Sequence, residues 1–313
     1  VDRTPYEPYV ITGKAADYIA DNYWPCKDLL PSPEKLWAID WTNWQDDPGT
    51  WRIVSNTIEV MRHLAYGYEP WYREQAISPI EQRMRRNPYC YAVAVNQAKP
   101  TQLKLALPSS KIISIDFGPI AGFSSINPLT SDGFEKYLNG GYTLSTVPVD
   151  AMPSEKTTFH SVNHLFISGV LYLPNILPPF GHQALGKAGE AEFVRTQLGG
   201  VAIRCMAEHL GRLLPPVRWN DTTRQPELLD SQGRGSAEFP LIMCPLTQRF
   251  MGSRIIPRLG FVRPETGSAL HFEDSGNFEL YVFDPMRIEQ LDETTQRSAR
   301  QFIRAIGATQ DHA

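Results

Sequence analysis

Helix-like and strand-like stretches come in blocks along this chain, and that order most limits what it can fold into. Helices predominate up to Pro88, and strands follow from Tyr89 to Pro174. A long helix and a polar stretch come next, then further strands and a last helix. A doubly wound parallel sheet needs strand and helix to alternate, whereas blocks of each type point to α+β. The expected fold is therefore α+β: a helical N-terminal region, then a largely antiparallel sheet region with one long helix and a C-terminal helix. Two regions are expected: 1–88, helical, rich in Trp and Pro and suited to wrapping a surface, and 89–313, a β-rich α+β domain.

Local signals place the elements. Asp47-Pro48 opens a helix, with Asp as cap and Pro in the first turn, and Val54, Ile58, Met61 and Ala65 share one face. Ser78-Pro79-Ile80-Glu81 is a capping box that starts a short basic helix, stopped by Asn87-Pro88. Extended segments are expected at Cys90–Val95, Leu103–Leu107, Lys111–Phe117, Tyr142–Val149 and Thr157–Leu173. Ala188–Leu214 reads as the longest helix, ended by Pro215-Pro216, and Val217–Glu238 as a flexible polar loop. Strands are expected again at Phe239–Met243, Ile255–Val262, Ala269–Phe272 and Asn277–Phe283. A helix over Asp292–Ile306 follows, capped by Gly307.

Composition narrows the function classes. With 42% hydrophobic and 20% charged residues the chain has the apolar content of a packed core. A net charge of −4 argues against a dedicated nucleic-acid binder with a basic face. No run of eighteen apolar residues occurs, so no membrane span is expected, and Val1–Pro5 begins no signal pattern. Cys26, Cys90, Cys205 and Cys244 are too scattered for a disulfide framework or a zinc motif, which suits buried thiols in a reducing compartment.

Few constellations carry chemistry. His160 and His164 stand four apart in a strand-like stretch, about 13 Å at ~3.3 Å per residue, too far to share one metal. His271 and Glu273 stand two apart on a strand and could reach one ion, so they are the candidate metal ligands, though two ligands do not complete a site. Gly181 to Lys187 has the glycine spacing of a phosphate loop, but Ala188 replaces the hydroxyl that would hold magnesium. Cys205 and His209 share one helix face with no orienting third group, which reads as core. Arg83, Arg85 and Arg86 on the short helix, and Arg254 and Arg258 among aromatics, are the candidate nucleic-acid contacts, against the plainer reading of solvated arginines paired to carboxylates. Trp37, Trp41 and Trp44 lie within eight residues and need a surface to pack on, either the chain's own core or a partner.

No catalytic cluster stands out, and no cofactor is expected. The expectation is a structural subunit that assembles with copies of itself into a large, capsid-like particle, in the cytoplasm or within a virion or intracellular assembly. The alternatives are a metal-dependent enzyme using His271 and Glu273, and a nucleic-acid-binding subunit of a ribonucleoprotein.

Overall fold

The computed structural model describes residues 9–11, 31–66, 79–95, 101–106, 112–142, 147–154, 162–172, 203–246, 255–265, 269–272, 276–308 and 310. It is an α+β protein with mixed sheets. The chain divides into two compact units, Val1–Phe123 with Leu171–Leu198, and Ser124–Val170 with Gly199–Ala313. Pro88 lies inside the first unit. Among the described residues no helix is long and apolar enough to cross a membrane.

In the first unit, α1 (Pro33–Trp37) and α2 (Pro48–Tyr66) follow the prolines. The Asp47 carboxylate accepts the Gly49 N–H at 2.9 Å, so the expected start of α2 is real. Val54, Ile58 and Met61 are buried along its inner stripe. Helix α3 (Pro79–Arg86) packs on α2 and ends where Asn87 accepts the Tyr89 N–H at 3.1 Å. Strand β1 (Tyr9–Ile11) pairs parallel with β3 (Gln102–Ala106), which pairs antiparallel with β4 (Ile112–Asp116). Strand β2 (Tyr91–Val95) is the neighbour of β5 (Ile120–Leu129), whose first four residues belong to this unit. Gly118 turns the chain between β4 and β5 at φ +57, and a Cβ there would press on Leu36 at 3.1 Å.

In the second unit a sheet runs in the order β11 (Phe261–Val262), β13 (Gly276–Phe283), β10 (Leu241–Leu246), β6 (His164–Tyr172), β5, with β12 (Ala269–Phe272) also on β13. Strand β13 pairs antiparallel with β10, β11 and β12, and β10 and β6 run parallel. Strand β5 is buried along its whole length. It therefore carries its polar groups paired: the Ser125 and Ser168 hydroxyls lie 2.6 Å apart, and Asn127 Nδ2 donates to both. After β5, Thr130 caps α4 (Ser131–Leu138) by accepting the Gly133 N–H at 3.0 Å. A helix, α5, covers residues 203–213. The remainder of the long helix expected from residue 188 lies outside the described residues.

Residues 217–238 are not a loop. They form a three-stranded antiparallel meander, β7 (Val217–Asn220), β8 (Gln225–Leu229) and β9 (Gly235–Glu238). Its apolar side is thin but regular: Val217, Trp219, Pro226 and Leu228 are buried, with polar neighbours between them. That face packs on α6 (Glu293–Ala308). Helix α6 buries Ala299, Phe302, Ile303 and Ile306, the spacing of one helical stripe. Phe261, Phe283 and Phe302 meet there with ring centroids 5.3–6.5 Å apart. Each buried ring contributes about 1.5–3 kcal/mol relative to exposure.

Two other expectations give way. Ile255–Val262 is not one strand, because residues 257–259 form a 3₁₀ turn before the short β11. Pro257 forbids a strand ladder there, and Gly260, at φ +96, turns the chain under Ala299. The expected strand over Tyr142–Val149 ends in a 3₁₀ turn, Val149–Ala151, and residues 143–146 lie outside the described residues.

Candidate anion-binding cleft

The second unit holds a cleft of about 500 Å³ lined by Trp219, Arg224, Ile288, Glu289, Glu293, Gln296, Arg297 and Arg300. That size falls in the range of small-ligand sites. Three pieces of local structure build it: the β7–β8 hairpin, the 3₁₀ segment Pro285–Gln290 and the first turns of α6.

The hairpin positions Trp219 and Arg224. Trp219 pairs with Pro226 across the ladder, and Asn220 with Gln225, leaving Asp221–Arg224 as the turn. The Asn220 carboxamide oxygen accepts the N–H groups of Thr222 and Thr223, at 2.9 and 3.2 Å, which holds the turn shut. Arg224 closes it in the left-handed region, at φ 55. An arginine there gains nothing from its backbone, since Gly or Asn would fit with less strain.

Helix α6 supplies the other wall. Asp292 caps it, accepting the Thr295 N–H at 3.1 Å. Arg297 and Arg300 stand three residues apart and so share a face. The Arg300 guanidinium sits over the Trp219 ring, 5.2 Å from its centroid, and lies 3.5 Å from Asp221. Arg297 lies 3.8 Å from Glu293 one turn earlier. Gln296 is tied down by donating to the carbonyls of Glu289 and Leu291, at 3.0 and 2.8 Å.

The electrostatics are specific. Trp219 is only 8% exposed, and its indole Nε1–H is buried with no hydrogen-bond acceptor among the described residues. Such a donor costs about 1–3 kcal/mol until it is satisfied. Arg224 has no carboxylate partner within ion-pair distance among the described residues. The rest of the charge is mixed: Arg224, Arg297 and Arg300 stand beside Glu289 and Glu293, with Asp221 on Arg300.

The structure distributes the sequence candidates differently. Of the basic cluster on α3, Arg83 is turned inward: it is 2% exposed, and its Nε donates to Tyr91 Oη at 2.6 Å. Arg85 pairs with Glu81 at 2.9 Å, and Arg86 is half-buried. Alternate faces of one short helix therefore receive arginines that the sequence places in a row. Arg258 is exposed, while Arg254 lies outside the described residues. His271 is exposed on β12, opposite Asn277; Glu273 lies outside the described residues, as do His160 and the glycine loop 181–187. Among the described residues no three His, Cys, Asp or Glu side chains gather as a metal site would require.

The three tryptophans separate too. Trp44 is buried in the core, Trp41 is half-buried, and Trp37 is 42% exposed. His209 is not paired with Cys205 in chemistry. Its Nδ1 lies 2.9 Å from Ser124 Oγ, with both side chains buried, and burial pushes the Cys205 thiol up, away from the nucleophilic thiolate. His164 begins β6 against the Phe134 ring, centroids 4.4 Å apart.

Sequence reasoning missed Trp219, Arg224, Arg297 and Arg300. The available signals were the alternation Val217-Arg-Trp219-Asn and the three-residue spacing of Arg297 and Arg300 on a helix already expected. No protein-family model, no curated protein and no solved structure matches the chain.

Proposed function

We propose that this protein is a binding subunit whose second unit accepts an anionic group of a partner in the Trp219 cleft. The observation that carries this reading is the convergence of the Arg224, Arg297 and Arg300 guanidiniums on one cleft, with Arg224 outside ion-pair distance of any carboxylate among the described residues. Calorimetric titration of the full chain with inorganic phosphate at about pH 6, where it is mostly singly charged, tests the reading. Binding should weaken with added salt, and the double variant Arg224→Ala, Arg297→Ala should lose at least about tenfold in affinity. Equal binding by the double variant overturns it.

A second reading, self-assembly into a large particle, is favoured by large apolar side chains that stand open. Trp37 is 42% exposed, Ile112 59% and Met286 62%. Buried aromatic anchors supply much of the energy of protein interfaces. Because Trp37 is exposed and Trp44 is core, Trp37→Ala separates assembly from folding. Light scattering should show a smaller mass for Trp37→Ala with an unchanged circular dichroism spectrum. A wild-type monomer would remove this reading.

A further inference from the structure

The meander ends in β9, which pairs with β8 on one side and with no strand on the other among the described residues. Residues 231–238 are all exposed, so both faces of β9 stand open as well as its edge. An edge of that kind is a template on which another chain can add a strand. We propose that β9 takes up an extended segment of a partner protein that carries an arginine or a lysine opposite Glu238. None of the residues involved lines the Trp219 cleft, so the inference goes beyond the anion reading.

A row of charges across the meander names the chemistry. Arg218 stands opposite Glu227, and Glu227 opposite Glu238, so the three side chains share one face of the sheet, the outer one. Glu227 is satisfied: it accepts from Arg218 Nε at 2.8 Å and from Asn220 Nδ2 at 3.2 Å. Glu238 has no cation within ion-pair distance among the described residues, and its neighbour across β8 is a like charge. Like charges directly opposite destabilise a sheet, and opposite charges stabilise it. A cation on an added strand would complete the row as Arg218, Glu227, Glu238 and partner cation. A second copy of β9 paired about Glu238 would instead bring two carboxylates together.

The backbone points the same way. The Leu229 N–H donates to the Pro216 carbonyl at 2.8 Å, toward β7. Main-chain groups alternate along a strand, so those of Glu227 also turn to β7 and those of Leu228 turn to Ala237. Glu238, opposite Glu227, therefore directs its own N–H and C=O away from β8, where an added strand would meet them. The register shifts between Leu228 and Leu229, leaving Ser236 as an extra residue whose hydroxyl donates to the Leu228 carbonyl at 3.3 Å. A bulge twists an edge and limits long pairing, so the docking stretch is short and centred on Glu238. The residue of the added strand next to the cation falls opposite Ala237, on the other face, where an apolar side chain fits best beside Leu228.

The test is titration of the ¹⁵N-labelled full chain with two capped peptides, Thr-Val-Arg-Val-Thr and Thr-Val-Glu-Val-Thr, whose β-branched residues favour extended backbone. The Ala237 and Glu238 amides are followed in a ¹⁵N–¹H correlation spectrum. The arginine peptide should shift both amides saturably and bind at least about fivefold more tightly than the glutamate peptide. In Glu238→Lys, followed at Ala237, the order should reverse, with the rest of the spectrum unchanged because Glu238 is exposed. No saturable shift with either peptide overturns the proposal, and so does the same order of affinity in both proteins. Broadening of the Glu238 amide with protein concentration alone would assign the edge to a second copy and overturn it too.

Discussion

Gly307, near the end of α6, lies directly against the carbonyl oxygen of Val217 at the start of β7: a Cβ on it would come within 2.7 Å of that oxygen. The glycine expected as a helix cap is thus inside the helix, and its role is close approach. The contact is locked from both sides. Gln310 Oε1 accepts the Val217 N–H at 2.8 Å, and the two hydrogens of its Nε2 are shared among the carbonyls of Gly211, Leu214 and Pro215 at 2.9–3.0 Å. Alanine would favour the helix by about 1 kcal/mol. Displacing a main-chain carbonyl costs more, about 1–3 kcal/mol for an overpacked site. Gly307→Ala should therefore destabilise the protein by up to about 2 kcal/mol in urea unfolding. A midpoint at or above the wild type would show that the meander slides freely on α6.

Arg224 makes the opposite case. Its φ of 55 strains an arginine, whereas glycine adopts it freely. Arg224→Gly should raise stability by about 0.5–1 kcal/mol, the relieved strain exceeding the added chain entropy. The same change should weaken anion binding, because the cleft loses its unpaired guanidinium. Stability that rises while affinity falls marks a residue kept for function. A loss of stability would mean that Arg224 holds the turn through its side chain.

Where the sequence was legible depends on how local each element's signal is. Helices α2, α3 and α6 and strand β13 announce themselves through caps, stripes and alternation, all local patterns. Strand β5 does not. Ser124, Ser125, Asn127 and Pro128 have loop composition, and their reason to be extended lies in His209 and Ser168, far along the chain. The meander misled for a related reason: its charged residues satisfy one another across strands, as Arg218 and Glu227 do, so polarity there reads as a loop. The cleft needs that meander set beside α6, so it could not be read before the meander was known.

His164 should make stability fall in mild acid. Burial holds its imidazole below the ordinary histidine value, outweighing the opposite pull of Glu135. In the unfolded chain it takes a proton near the usual ~6.5. As pH falls through that value the unfolded state binds a proton that the folded state resists, so stability drops, and it levels once the lowered folded value is passed. His164→Phe keeps a ring beside Phe134 and removes the titration. Urea unfolding from about pH 7 to 5 should show a flatter profile for the variant. Identical profiles would locate the acid sensitivity elsewhere.

The cysteines should react in an order set by burial. Cys90 and Cys244 are fully enclosed, and desolvation raises both thiols, that of Cys244 to about 12 and that of Cys90 further despite the nearby Arg83 charge. Cys205 is only partly covered, and its thiol is raised by burial and by Glu208. Disulfide exchange needs a thiolate with access. An aromatic disulfide reagent at about pH 8 should therefore modify Cys205 slowly in the native protein and leave Cys90 and Cys244 intact until urea opens the core. Mass spectrometry of peptides from the quenched reaction assigns the sites. For Cys244 the protection has a second source. It sits mid-strand in β10, paired on one side with Tyr281 of β13, so exposing its sulfur means parting the sheet. Its modification rate should then follow global unfolding and fall in step with any variant that stabilises the second unit, Arg224→Gly included. A Cys244 rate indifferent to that variant would mean the sheet opens locally at β10, without unfolding of the meander and α6.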